Sequence, residues 1–198
     1  MFARTHTMKF INTLTAVTLL MLATAVNAQR LDMNLGQDSV RLTHVSLVGG
    51  STFGRTEMSA GILYNEANNT VLDLGLQVID VAGSKTPGLE VGVGPKLYWV
   101  SADTNNAYGL AVALGGKLRY KLRSLPRTLV QGSAHYAPGI TSTVDVDSLL
   151  ETNLRMGYEL LPTANTYIGY RRIMVEFGRA KQTQTVDSGV YVGLEMTF

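Results

Sequence analysis

The sequence predicts an all-β protein, an antiparallel up-and-down transmembrane β-barrel. Three observations predict it. Residues 1–28 have the layout of an export leader. The remainder alternates, two by two, between apolar residues and small or charged ones. The last alternating segment runs into a terminal aromatic residue, Phe198.

The leader comes first. Arg4 and Lys9 make a positive start, Phe10 to Ala25 is apolar apart from Asn12 and scattered threonines, and Val26-Asn27-Ala28 fits a small-x-small cleavage site. A signal peptide over 1–28 followed by a barrel over 29–198 is the expected division, with Gln29 the first mature residue. The apolar core falls short of the ~20 apolar residues a spanning helix needs, so cleavage is expected rather than retention as an anchor. The chain has no cysteine, which excludes a lipoprotein anchor, a disulfide framework and a thiolate metal site. Residues 29–198 carry equal numbers of basic and acidic residues, spread without runs of one sign. Nucleic acid as a partner would favour a clustered basic excess. Beyond the leader no apolar stretch approaches helical spanning length.

The alternation is clearest over 107–122. Tyr108, Leu110, Val112, Leu114, Leu118 and Tyr120 share one parity; Ala111, Ala113, Gly115, Lys117, Arg119 and Lys121 share the other. In a strand these are opposite faces. The split recurs at 71–81 (Leu72, Leu74, Leu76, Val78 against Asp73, Gly75, Gln77) and at 88–101 (Leu89, Val91, Val93, Leu97, Trp99 against Glu90, Gly92, Gly94, Lys96). It recurs again at 148–161 and 186–198, where Glu151, Asn153, Arg155 and Glu159, then Gly189, Tyr191, Gly193 and Glu195, oppose apolar residues. A soluble sandwich alternates too. Here the polar face mixes charges with glycine and alanine, which suits a narrow lumen in which long side chains need small neighbours.

Ten strands are expected, over 31–36, 39–48, 56–66, 71–81, 88–101, 107–122, 128–137, 148–161, 164–177 and 186–198. With both ends in the periplasm, Tyr64, Trp99, Tyr108 and Tyr136 form an outer aromatic girdle, and Tyr120, Tyr158, Tyr170 and Phe198 an inner one. The longer connections 138–147 and 178–185 fall outside, and the turns Arg123 to Arg127 and Leu161 to Asn165 inside, as such barrels prefer. Segment 31–36 is short for a spanning strand of ~9–11 residues. Eight strands, with the N-terminal region folded into or over the lumen, is therefore the alternative.

The closing Val-Tyr-Val-Gly-Leu-Glu-Met-Thr-Phe is similar to the signal that barrel-assembly machinery reads in outer-membrane proteins. His135-Tyr136-Ala137-Pro138-Gly139, Glu151, Tyr167-Ile168-Gly169-Tyr170-Arg171-Arg172 and Ser188 to Leu194 resemble the YfaZ-type family of outer-membrane proteins. The resemblance implies a bacterial outer-membrane location, with lipid and lipopolysaccharide around the wall, and a barrel fold. It supplies no catalytic residue.

Candidate chemistry lies on the polar face. Glu90, Lys96, Lys117, Arg119, Lys121, Glu151, Arg155, Glu159, Arg171 and Glu195 are expected to line the lumen. They could tune a small-solute pore or pair and fill a narrow interior. A structural or envelope role without enzymatic activity is expected, or slow passage of small solutes. The alternative is a lipid-modifying acyl hydrolase. Ser133 and His135 share the inward parity, and a register placing His135 opposite Glu151 would assemble nucleophile, base and orienting carboxylate. Asp145 and Asp147 are too few ligands for a hard cation and suit a solvated turn. His6 and His44 show no ligand spacing, Gly92-Val93-Gly94 lies within a strand, and no pattern implies a cofactor.

Overall fold

A computed structural model describes residues 29–51, 54–82, 88–103, 107–178 and 182–198. The proposed signal peptide, with Arg4, His6 and Lys9, lies outside them. Ten long strands form one closed antiparallel sheet: β1 (Gln29–Gly36), β2 (Ser39–Ser51), β3 (Gly54–Asn65), β4 (Thr70–Val81), β5 (Leu89–Ala102), β6 (Ala107–Lys121), β7 (Thr128–Ala137), β9 (Val146–Leu161), β10 (Ala164–Phe177) and β11 (Gln182–Thr197). A further three-residue strand, β8 (Ser142–Val144), pairs with β6. Each long strand pairs with its neighbours in chain order, and β1 closes the ring on β11. The Gln29 and Phe198 backbones bond each other in both directions at 3.0 Å. Closure leaves no unpaired sheet edge, the condition for a sheet in lipid.

The ten-strand expectation holds and the eight-strand alternative falls. β1 starts at Gln29, two residues before the expected 31, and pairs on both sides rather than folding into the lumen. The expected asymmetry between ends is weaker than the sequence suggested. The connection expected over 178–185 shrinks to 178–181, because β11 begins at Gln182. The 82–88 connection, at the end carrying the termini, separates its strands as widely as most at the other end. In 138–147, Pro138 cannot donate to the ladder. The chain leaves the wall in a 3-10 turn at Gly139–Thr141, pins Thr141 Oγ1 to the Val112 carbonyl at 2.7 Å, and rejoins β6 as β8.

Parity is as expected. Leu110, Val112, Leu114, Leu118, Leu154, Met156, Val190 and Val192 stand exposed on the outer face. Tyr64, Trp99, Tyr108 and Tyr136 lie toward the loop end of their strands, away from the termini, and Tyr120, Tyr158 and Phe198 toward the terminal end. Tyr170 differs: it sits midway along β10, opposite Leu154 and Val190.

The inner face departs from expectation in two ways. First, it is not uniformly polar. Toward the loop end Leu63, Val71, Val100, Leu149, Ile173, Val175 and Phe177 point inward with Tyr98 and several alanines, and form a closed apolar cluster. Second, aromatics are not confined to the girdles. Tyr98, Tyr167 and Tyr191 are buried inside. Tyr167 lies opposite Gly193 and Tyr191 opposite Gly169, and the two rings meet edge to face at 5.9 Å. A Cβ at Gly193 would come within 2.3 Å of the Tyr167 ring, and one at Gly169 within 2.6 Å of Tyr191. These inward glycines are slots for the large side chain on the neighbouring strand.

Candidate functional site

The lumen is filled in three storeys. Nearest the loop end is the apolar cluster. Below it lies a ring of alternating charge. Arg41 on β2 donates to Asp73 on β4 and to Glu151 on β9, each at 2.5 Å. Lys96 on β5 reaches the same two carboxylates at 3.2 and 2.8 Å, the longer contact being an ion pair without hydrogen-bond geometry. The Tyr98 hydroxyl adds a short hydrogen bond to Glu151. All four charged side chains are buried, and the ring ties β9 to β2, β4 and β5 across the barrel. Gly61 and Gly75 make room: a Cβ there would meet Asp73 at 2.5 Å and Ser59 Oγ at 2.6 Å, with the Lys96 stem beyond. Beside the ring, Arg171 is wholly buried and donates to Asp187 at 2.6 Å, to Asn34 at 2.8 Å and to Ser39 at 3.2 Å.

The third storey, toward the termini, is wetter. Arg155 bridges Asp32 at 2.5 Å and Glu195 at 2.8 Å, and its guanidinium stacks 4.5 Å from the centre of Tyr167, whose hydroxyl makes a short bond to Asp32. Arg119 reaches Glu195 at 3.1 Å. Glu57 collects Arg30 at 2.5 Å, Lys117 at 2.8 Å and Arg55 at 3.0 Å; Arg55 continues to Glu90 at 2.9 Å, and Lys121 pairs with Glu159 at 3.0 Å.

Each of the ten charged residues expected on the polar face belongs to an ion pair, with Lys121 and Glu159 pairing at the exposed terminal-end mouth. Unpaired charge in such an interior would cost several kcal/mol, which pairing offsets. Arg30, Asp32, Arg41, Arg55, Glu57, Asp73 and Asp187 join these ion pairs beyond the ten expected. Asp32 and Asn34 were legible, since they alternate with Leu31, Met33 and Leu35. Glu57 was legible too, since it shares a parity with Ser59 and Gly61 opposite Met58, Ala60 and Ile62.

The hydrolase residues meet only in part. His135 does lie opposite Glu151, and Ser133 shares their face and lines an inner cavity. The Glu151 oxygens are occupied by Arg41, Lys96 and Tyr98. The Gln77 amide nitrogen meets His135 Nε2 at 3.0 Å, and His135 Nδ1 is buried without a partner among the described residues. Among the described residues no hydrogen bond joins Ser133 to His135 or His135 to Glu151, so the relay an acyl transfer needs is not assembled. Asp145 forms the turn before β9, its carbonyl accepting from Gly178 at 2.7 Å, while Asp147 is exposed at the start of β9. His44 bonds the Gln29 side chain at 3.1 Å. Among the described residues no three metal-ligating side chains gather.

A closed sheet with an oily exterior and a paired, ionic interior defines a membrane-spanning β-barrel of the bacterial outer membrane. The family described as "YfaZ precursor" matches residues 8–198, and the chain belongs to it. "Outer membrane protein YfaZ" of Escherichia coli (strain K12) is 25% identical over 186 residues, covering 91% of this chain and 94% of that protein. Among solved structures, the chain is similar to "KdgM porin", with TM-score 0.44, 10% identity, and 86% of this chain and 99% of that one covered. It is similar also to a NanC porin, with TM-score 0.45, 10% identity, and 87% and 100% covered.

Proposed function

We propose that this outer-membrane barrel is a non-enzymatic envelope protein whose lumen is closed at rest, rather than an open diffusion pore. The observation that carries this reading is the double closure. The apolar cluster and the Arg41–Asp73–Lys96–Glu151 ring each draw side chains from several strands, and both are buried. A dry apolar constriction opposes ions by dewetting, and the ring adds fixed, paired charge beneath it. The tied-up Glu151 and the missing Ser133–His135 contact favour the non-enzymatic reading over the acyl hydrolase.

Planar-bilayer recording of the purified protein is expected to show no current steps above background. Incubation with outer-membrane lipid is expected to leave the lipid mass profile unchanged. Regular wild-type steps would overturn the closed lumen, and deacylated lipid that disappears in Ser133→Ala would restore the enzyme.

In the same reading Gln29 and Phe198 face the periplasm, residues 1–28 are removed on export, and the exposed Phe198 is the residue presented to the assembly machinery. The absence of cysteine allows a clean labelling check. An impermeant maleimide should label Asn68→Cys, on an exposed loop-end turn, in intact cells. Ser124→Cys, on a terminal-end turn, should react only after permeabilisation. The reverse pattern would invert the orientation.

A further inference from the structure

From the charge arithmetic of the terminal-end storey we infer that the barrel holds a binding cup for a small multivalent oxyanion, open only toward the termini. An inner cavity of about 130 Å³ takes in Arg30, Lys117, Arg155 and Glu195. Through Arg30 and Val45 it borders a second space of about 200 Å³ beside Arg55 and Glu57. A third, of about 300 Å³, opens at the same mouth between Arg119, Lys121, Arg127 and Glu159. Above them the charge ring and the apolar cluster seal the floor.

The cup is short of negative charge and rich in idle donors. Apart from Arg41, Lys96 and Glu151 of the ring that floors it, seven cations line it, Arg30, Arg55, Lys117, Arg119, Lys121, Arg127 and Arg155, against the carboxylates of Asp32, Glu57, Glu90, Glu159 and Glu195. Glu57 alone serves three of the cations, and Glu195 two. Of the five N–H groups on each guanidinium, Arg30 uses one, toward Glu57, and Arg119 one, toward Glu195. Arg127 makes no side-chain bond among the described residues. By contrast, in the ring above, Arg41 and Lys96 meet Asp73 and Glu151 one for one. The surplus is thus confined to the open end. Arg119, beside the third space, and Arg155, in the first, share the one carboxylate of Glu195, which links the two spaces.

A planar fork prefers an oxyanion that accepts two hydrogen bonds. A partly desolvated group of like charges gains from any anion that enters it. Arg30, Lys117, Arg119 and Arg155 stand on the inner face of their strands, so a lipid headgroup whose acyl chains stay on the outer face cannot reach them; Arg127 stands at the mouth, on the exposed connection between β6 and β7. The ligand is a soluble species bearing two or more phosphate or carboxylate groups.

Titration calorimetry of the purified full barrel in a zwitterionic detergent at low salt, with pyrophosphate and citrate as probes, tests the cup. Saturable one-to-one binding is expected for at least one probe. Arg119→Gln should weaken it about tenfold or more, and Glu195→Gln, which removes a competing internal acceptor, should strengthen it about tenfold. Arg127→Gln has no bond to lose, so it folds, and should weaken binding a few fold. Glu66→Gln, at the loop end, should leave the affinity unchanged. No saturable binding of either probe, or wild-type affinity in both Arg127→Gln and Glu195→Gln, would overturn the cup. The inference uses the closed lumen only for its floor, so the two can fail separately. Current steps with pyrophosphate binding retained would remove the closure and keep the cup.

Discussion

Glu151→Ala should lower the unfolding free energy of the purified barrel by about 3–5 kcal/mol, the range for removing one partner of a buried charge pair. The shift is read as a lower urea midpoint. Glu151 accepts from Arg41 at 2.5 Å, from Lys96 at 2.8 Å and from Tyr98. Without it, two buried cations share Asp73 alone, and the buried Tyr98 hydroxyl loses its acceptor. The penalty therefore comes from the charges left behind more than from the bond removed. A second arm follows. Replacing the whole ring with apolar residues of similar volume (Arg41→Met, Asp73→Leu, Lys96→Met, Glu151→Leu) should recover most of the loss, since such replacements are often neutral or stabilising. If Glu151→Ala unfolds at the wild-type urea concentration, the ring contributes nothing and the account of the lumen is wrong.

The second large effect is electrical. On the proposed double closure, opening one level should not suffice. Leu63→Ala, Leu149→Ala and Val175→Ala together hollow the apolar cluster, whose Leu149 and Val175 are cross-strand neighbours. That triple variant should still show no current steps, because the charge ring remains. Glu151→Ala alone should also stay silent, because the apolar cluster remains. Combined, they should give discrete steps in a planar bilayer. Each buried Leu→Ala costs roughly 2–5 kcal/mol in a soluble core, so retention of the compact form on gels accompanies every recording. Steps from either variant alone would show that one layer, not two, closes the barrel.

What could be read without coordinates followed from parity. Lys117, Arg119 and Lys121 alternate with Leu118 and Tyr120, and any closed sheet must place the two sets on opposite sides. The strand count was nearly legible as well, because Pro126 and Pro162 sit in connections rather than strands. The first strand was the uncertain element. Its expected span was short, and its value as a strand depends on pairing with β11, far away in sequence.

The candidate site was legible in composition but not in arrangement. The ten charges expected on the polar face all enter ion pairs, and the structure supplies the register that sets His135 opposite Glu151. Which carboxylate each cation meets did not follow. Arg41 and Glu151 are 110 residues apart in sequence, and Arg171 and Asn34 137. Only closure of the sheet brings them together. The apolar cluster was hidden for a related reason. Val71, Ile173 and Val175 have the parity of the lumen but the chemistry of the wall, so alternation fades at the loop ends of the strands.

By itself, then, the sequence determined the class of fold, the two faces and the identity of most lumen residues, because side-chain period and polarity are local properties of a strand. The tertiary structure alone decided that Glu151 belongs to Arg41, Lys96 and Tyr98 rather than to His135, that apolar side chains gather inside the barrel near one end, and that Glu57 and Glu195 each serve several cations toward the other. Those outcomes depend on distances across the barrel, and such distances exist only once β1 has met β11.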